Sequence, residues 1–181
     1  IRGVCPADGR SHYGESSRDQ YTWHVYGLWR YYRSPLSQPA EKETIKKVLT
    51  AICARLERNV VAAHDYHIGR EDGTFDGLVD KMWENAAHEV ARLPMIYAIG
   101  ADVTGDRRWA DLARRYAPEA AEKSKGASTK IPYALLQQQV SLEALDELET
   151  SPELKRQWRE AMRLVAGRSE GFLGTCREYR A

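Results

Sequence analysis

Polar and apolar positions repeat at helical spacing along most of the chain after residue 17. Apolar residues recur three and four positions apart within several segments, and charged residues fill the positions between them. The clearest stripe comprises Ile45, Val48, Leu49, Ile52 and Leu56. No segment alternates apolar and polar residues over enough positions to predict a β-strand. The pattern therefore predicts an all-α protein.

Start and stop signals divide this pattern into six helices. Ser17 and Gln20 have the spacing of a capping box, and Asp106 is suited to cap a later helix. Pro94 predicts a kink within the third helix because its ring removes an amide donor, and Gly100 predicts the end of that helix. We expect helices over residues 18–33, 39–58, 78–99, 107–124, 133–148 and 152–166.

Two kinds of predicted helix alternate along the chain: helices with few charged residues, and helices with one charged face. Because connections are short, neighbours in the chain should be antiparallel. We predict one domain, residues 1–181, made of antiparallel α-hairpins in two layers. The weakly charged helices that begin near Arg18, Leu78 and Tyr133 form the inner layer, and the charged helices form the outer layer. Three hairpins in an open arc would expose an apolar face, so we expect a second copy or more of the same chain to cover it.

The first predicted helix carries aromatic residues on every side. Besides the apolar stripe that begins at Tyr21, three aromatic residues occupy its other faces: Trp23, Tyr26 and Trp29. A helix that is hydrophobic all round is normally buried all round. Polar residues stand at its start: Glu15, Arg18, Asp19 and Gln20. Aromatic walls beside carboxylates suit a carbohydrate site, and they equally suit an inner helix with a polar cap.

Composition narrows the function classes. The 181 residues carry a net charge of +1, with 43% hydrophobic and 29% charged residues, which is ordinary for a soluble globular domain. The balanced charge argues against a nucleic-acid partner, and no apolar run approaches the roughly 18 residues that span a membrane. The chain starts at Ile1, which indicates processing or truncation. A removed leader would indicate a periplasmic or secreted protein, but the sequence itself leaves the compartment open.

Cysteine and histidine positions predict neither a metal site nor a cofactor. Cys53 lies on the apolar stripe of the second helix and is expected in the core. Cys5 and Cys176 would pair only if the two ends of the chain meet. His64 and His67 are of metal-ligating type but lack a third ligand nearby in the sequence.

A family resemblance follows from this arrangement. The alternation of inner and outer helices, the opening Glu15-Ser-Ser-Arg-Asp-Gln-Tyr21 and the hairpin turn Val103-Thr-Gly-Asp106 resemble the six-hairpin glycosidase superfamily, the (α/α)6 toroids. A complete toroid of that superfamily has twelve main helices, so this chain resembles about half of one or a fragment of a longer protein. The resemblance implies catalytic groups at the ends of inner helices, at one mouth of the barrel.

Two acidic loops supply the predicted catalytic residues. Glycoside cleavage uses two carboxyl groups, roughly 5 to 10 Å apart, on either side of the scissile bond. Both loops precede predicted inner helices, so they should open at the same end of the bundle. We predict Glu15 or Asp19 as one partner and Asp72 or Asp76 as the other. The alternative is that these acids are solvated loop residues and helix caps.

Predicted substrate-binding residues surround the same mouth, where they would stack on sugar rings or hydrogen-bond to hydroxyls: His12, Arg18, Gln20, Tyr21, Trp23, His24 and Trp83. For the aromatic ones the alternative is packing in the core. We expect a glycoside hydrolase-like protein that acts on an oligo- or polysaccharide. Two other functions stay open: a non-catalytic α-hairpin module that binds a ligand or partner, and a polysaccharide lyase using His64 and Tyr66 or His12 and Tyr13.

Overall fold

The computed structural model describes residues 16–70, 73–75, 77, 79–126 and 129–178, with side chains through residue 169. Six α-helices make up the fold: α1 Arg18–Arg33, α2 Pro39–Asn59, α3 Arg92–Thr104, α4 Arg107–Lys123, α5 Pro132–Leu148 and α6 Pro152–Glu178. A short 3-10 helix spans Ala62–His64, and one isolated antiparallel bridge joins His67 and Lys81. These ranges contain no β-sheet, so the all-α prediction is confirmed.

Local signals explain most of the helix boundaries. The Ser17 hydroxyl accepts a hydrogen bond from the Gln20 amide (3.3 Å), and the Gln20 side chain accepts one from the Ser17 amide (3.3 Å). This is the predicted capping box. Pro39 begins α2, and the Asp106 carboxylate accepts from the Arg108 amide at the start of α4 (3.0 Å). Four of the six predicted helices therefore have nearly the predicted bounds, and α6 is longer than predicted.

The third helix was predicted wrongly. It begins at Arg92, whereas the residues described between 79 and 91 form turns and irregular structure, and Leu78 lies outside the described residues. Pro94 consequently falls in the first turn of α3, where a missing amide donor costs nothing, so it makes no interior kink. Gly100 lies inside α3 and is buried. The helix ends at Gly105 instead, in a left-handed conformation (φ 73°) that glycine adopts readily.

Burial of loop residues explains this error. Met82, Trp83 and Val90 are buried in the core although they lie outside any helix. Their spacing imitates a helical stripe in the sequence, because burial selects apolar residues regardless of secondary structure. The core thus extends past the helices into the connection between α2 and α3.

The first helix is buried on one side only. Its buried residues are Thr22, Val25 and Trp29, which form a single stripe. Trp23 is 40% exposed and Tyr31 is 39% exposed. The expectation that α1 is buried all round is therefore wrong, because its neighbours cover one side and leave Trp23 beside solvent.

The three inner helices run parallel to one another. Arg92 in the first turn of α3 contacts Asp19 in the first turn of α1, and the Trp29 indole donates to Asp102 towards the ends of the same helices (2.8 Å). Arg33 pairs with Glu147 where α1 and α5 end (2.6 Å). The N-termini of α1, α3 and α5 therefore lie at one end of the molecule. In an open arc the first and last inner helices would not touch. Here α1 contacts α5 as well as α3, so the three helices pack against one another.

One hydrophobic core joins all six helices. Fully buried tryptophans come from three of them: Trp29 in α1, Trp109 in α4 and Trp158 in α6. Cys53 of α2 is also buried, as predicted. Among the described residues, no helix combines the length and the apolar character needed to cross a membrane.

Candidate functional site

A groove of about 860 Å³ lies between the first half of α1 and the second half of α2. The α1 side contributes polar and aromatic residues, whereas the α2 side contributes an apolar floor. The lining residues are Ser16, Asp19, Gln20, Tyr21, Trp23, His24, Val48, Ala51 and Ile52. Asp19, Gln20, Tyr21, Trp23 and His24 were all predicted as site residues, and the structure brings them to one groove.

Helix geometry explains the two sides of the groove. Val48, Ala51 and Ile52 are three and four positions apart and therefore share one face of α2. Opposite them, Trp23 and His24 are exposed side chains of α1. The Trp23 ring offers an apolar surface beside hydrogen-bonding groups, which is a common composition for a small-molecule site.

Asp19 connects the groove to a buried arginine. Its carboxylate accepts a hydrogen bond from Arg92 (2.5 Å), and the same guanidinium donates to Gln137 Oε1 of α5 (2.6 Å). Arg92 is only 1% exposed, and burial lowers the pKa of its guanidinium while the Asp19 carboxylate opposes that effect. Three inner helices thus meet at this guanidinium, which orients Asp19 at the groove.

Arg18 belongs to a neighbouring ion-pair network. Its guanidinium pairs with Glu89, and its backbone amide donates to the Val79 carbonyl (3.0 Å). Glu89 also lies 3.9 Å from Arg92 and 3.7 Å from His88, and burial lowers the pKa of the His88 imidazole. Arg18 therefore holds the irregular segment against α1 and is not one of the residues that line the groove.

Trp83 also lies away from the groove. It is buried and packs edge-on against Tyr116 of α4, with ring centroids 4.6 Å apart. Its ring faces the core, so its position matches the packing alternative.

Four predicted site residues lie outside the described residues: His12, Glu15, Asp72 and Asp76. Of the predicted carboxylate partners, only Asp19 is described. The pairing of one acid from each loop stays a prediction.

Sequence reasoning missed a histidine–carboxylate pair. His67 Nδ1 lies 2.6 Å from Asp80 Oδ1. His64 turns elsewhere: its Nδ1 contacts the Asn59 carbonyl and its ring stacks on Phe75. The sequence carried no signal for the pair beyond a histidine and an aspartate in one long connection.

Tyr21 is a partly buried residue of the groove. Its side chain lines the groove, and its phenol lies within electrostatic range of Asp80 and Arg55. Burial raises the pKa of Tyr21, the Arg55 guanidinium lowers it and the Asp80 carboxylate raises it again. Within the described ranges, no group of three or more His, Cys, Asp or Glu side chains could hold a metal ion.

Comparison with known proteins finds no protein-family profile, no curated protein and no solved structure that matches this chain.

Proposed function

We propose that the protein is carbohydrate-active and that the groove between α1 and α2 binds a sugar. The observation that carries this proposal is the exposure of Trp23 inside the groove, in a fold whose tryptophans on other helices are fully buried. An indole that is apolar over its ring and carries one N–H donor suits a contact that is partly apolar and partly wet. Sugar rings present apolar C–H faces that stack on an indole, and their hydroxyls need polar partners such as Asp19 and Gln20.

The proposed reaction is glycoside hydrolysis with Asp19 as one of two carboxylates. Asp19 lines the groove near Trp23, and Arg92 fixes its orientation from behind. A catalytic carboxylate needs such support because small displacements are costly in rate. The resemblance to six-hairpin glycosidases supports the same chemistry. The second carboxylate is predicted to come from Asp72 or Asp76.

A non-catalytic binding module is the second candidate. The carboxylate of Asp19 is already engaged by Arg92, and a groove with one engaged acid and an apolar floor is sufficient for binding alone. The two candidates share the groove and differ only in whether bonds are broken.

A pair of tryptophan and tyrosine variants tests the groove. Trp23→Ala should weaken oligosaccharide binding by up to about tenfold, because loss of one aromatic contact costs up to about 1.5 kcal/mol. Tyr31→Ala is the matched control, since Tyr31 is an equally exposed aromatic of α1 that lies outside the groove. Titration calorimetry with a panel of oligosaccharides measures both affinities.

The result separates the candidates. If the parent protein binds no oligosaccharide, or if the two variants bind equally well, the proposed groove function is wrong. If the parent binds and cleaves a glycan, Asp19→Asn should retain binding and lose cleavage. A parent that binds without cleaving supports the binding module.

A further inference from the structure

The groove between α1 and α2 has two unlike walls. The α1 wall carries hydrogen-bonding groups and the exposed indole of Trp23. The α2 wall is aliphatic throughout and consists of Val48, Ala51 and Ile52. Ala51 is exposed and the other two are half-buried, so all three keep accessible surface in the groove. A ligand that fills the groove therefore meets polar surface on one edge and apolar surface on the opposite edge.

The aliphatic floor discriminates against a plain sugar. A glucose ring carries hydroxyl groups around its whole rim, and a hydroxyl that loses water without gaining a hydrogen bond is costly to bury. The side chains of Val48, Ala51 and Ile52 can neither donate nor accept a hydrogen bond. A sugar ring stacked on Trp23 would thus leave hydroxyls unpaired along α2, unless an apolar group takes the place of one of them.

The charges of the lining restrict the ligand further. Among the described residues that line the groove, Asp19 is the only carboxylate, and neither a lysine nor an arginine is present. Arg92 contacts Asp19 from behind but is only 1% exposed, so a ligand in the groove does not reach its guanidinium. An acidic sugar would therefore meet a like charge without a cation to pair with it. The lining consequently favours a sugar that has no acidic group.

We infer that the groove binds a neutral N-acetylated amino sugar, an inference that rests on the proposed function and names its substrate class. The acetamido methyl group lies on the aliphatic floor while the sugar ring stacks on Trp23. The remaining hydroxyls and the acetamido N–H face the polar wall, where Asp19 is an acceptor that stays 39% exposed beside its contact with Arg92. One substituent thus suits both walls, which neither a hydroxyl nor a carboxylate does.

Titration calorimetry with three matched trisaccharides tests this inference. At C2 of each ring, cellotriose carries a hydroxyl, the N-acetylglucosamine trimer an acetamido group and the glucosamine trimer an ammonium group. The N-acetylated trimer should bind about fivefold to tenfold more tightly than cellotriose, because it buries a methyl group on the floor and leaves no hydroxyl unpaired there. The glucosamine trimer should lack this gain, since its ammonium group would lose water against aliphatic side chains.

A polar substitution in the floor should remove the preference. Ile52→Thr introduces a hydroxyl where the methyl group lies, so the affinity ratio between the N-acetylated trimer and cellotriose should fall to about twofold or less. Ile131→Thr is the matched control, because Ile131 is an exposed isoleucine that does not line the groove. Since Ile52 also packs against the core, Ala51→Ser repeats the test at an exposed position where folding is less at risk.

The outcomes separate this inference from the proposed function. If cellotriose binds as tightly as the N-acetylated trimer, or a galacturonic acid trimer binds more tightly, the inference is overturned while the groove function stands. A preference that survives both Ile52→Thr and Ala51→Ser also overturns it, because the floor would then not be the cause. If no oligosaccharide of the panel binds, the proposed function fails and the inference fails with it.

Discussion

At the scale of single residues, burial decides what an ion pair contributes. The Asp19 side chain is 39% exposed and the Glu147 side chain is 37% exposed, so the two carboxylates are about equally accessible to water. Their partners differ, because Arg92 is buried whereas Arg30 and Arg33 are about as exposed as Glu147 itself. A buried charge that loses its partner cannot turn to water, whereas an exposed one can.

Asp19→Asn should therefore lower the free energy of unfolding by about 1.5–3 kcal/mol, the typical worth of a hydrogen bond to a charged group. Glu147→Gln, the matched control, should cost no more than about 1 kcal/mol, because its partners stay solvated. Urea unfolding followed by circular dichroism gives both values. Equal losses of stability in the two variants would show that other groups compensate the Arg92 charge. Activity of Asp19→Asn must be measured under conditions where the variant is fully folded, so that lost stability is not mistaken for lost catalysis.

At the scale of elements, α2 and α3 approach each other closely at one glycine. A Cβ atom at Gly100 would lie 2.5 Å from Cys53 Sγ of α2. The Cys53 thiol also lies 3.8 Å from the Ile96 carbonyl, and burial raises its pKa to about 12. The absence of a side chain at Gly100 therefore leaves the space that the Cys53 side chain fills, which explains why a glycine lies in the middle of α3.

Gly100→Ala should destabilise the protein by about 1–3 kcal/mol through overpacking. Gly27→Ala is the control within a helix, because a Cβ atom at that position meets nothing within 4 Å. This substitution should stabilise α1 by about 0.5–1 kcal/mol, since alanine favours a helix more than glycine does. In a Cys53→Ala background the cost of Gly100→Ala should shrink, because the colliding sulfur is gone. Thermal unfolding of the four proteins completes the cycle. Additive losses would contradict a direct clash between the two residues.

The elements also show how far the sequence predicts this molecule. Four helices follow from local caps and stripes, because caps such as Ser17 are satisfied within a few residues. The start of α3 could not be predicted in this way, because Met82 and Trp83 are buried by tertiary contacts that no local pattern encodes. The same division holds for the site. The α1 side from Asp19 to His24 is contiguous and was found, whereas the pairing of His67 with Asp80 depends on how a long connection crosses itself.

At the scale of the whole molecule, one core couples every helix. Trp29, Trp109 and Trp158 report on three different helices from within the same cluster. In the part of the chain that the structure describes, the buried hydrophobic residues form one continuous cluster. The expected second copy, or a longer chain, stays a prediction.

We expect a single cooperative unfolding transition. Tryptophan fluorescence and far-ultraviolet circular dichroism should give the same midpoint in urea, because the fluorophores and the helices share one core. The Trp23→Phe variant should be used for the fluorescence measurement, because its remaining tryptophans are buried in the core and report on it alone. Midpoints that differ between the two signals, or a two-step curve, would show that the hairpins are independent units.

The parallel course of α1, α3 and α5 gives the molecule two unlike ends. At one end the chain turns back through short connections, at residues 34–38, 105–106 and 149–151. At the other end lie the capped start of α1 and the long connection between α2 and α3, with the groove and the histidine pair. The two ends are therefore open to different kinds of evolutionary change. Changes in length within the long connection can leave the helix packing intact, whereas a change in length of a short connection would shift two packed helices against each other.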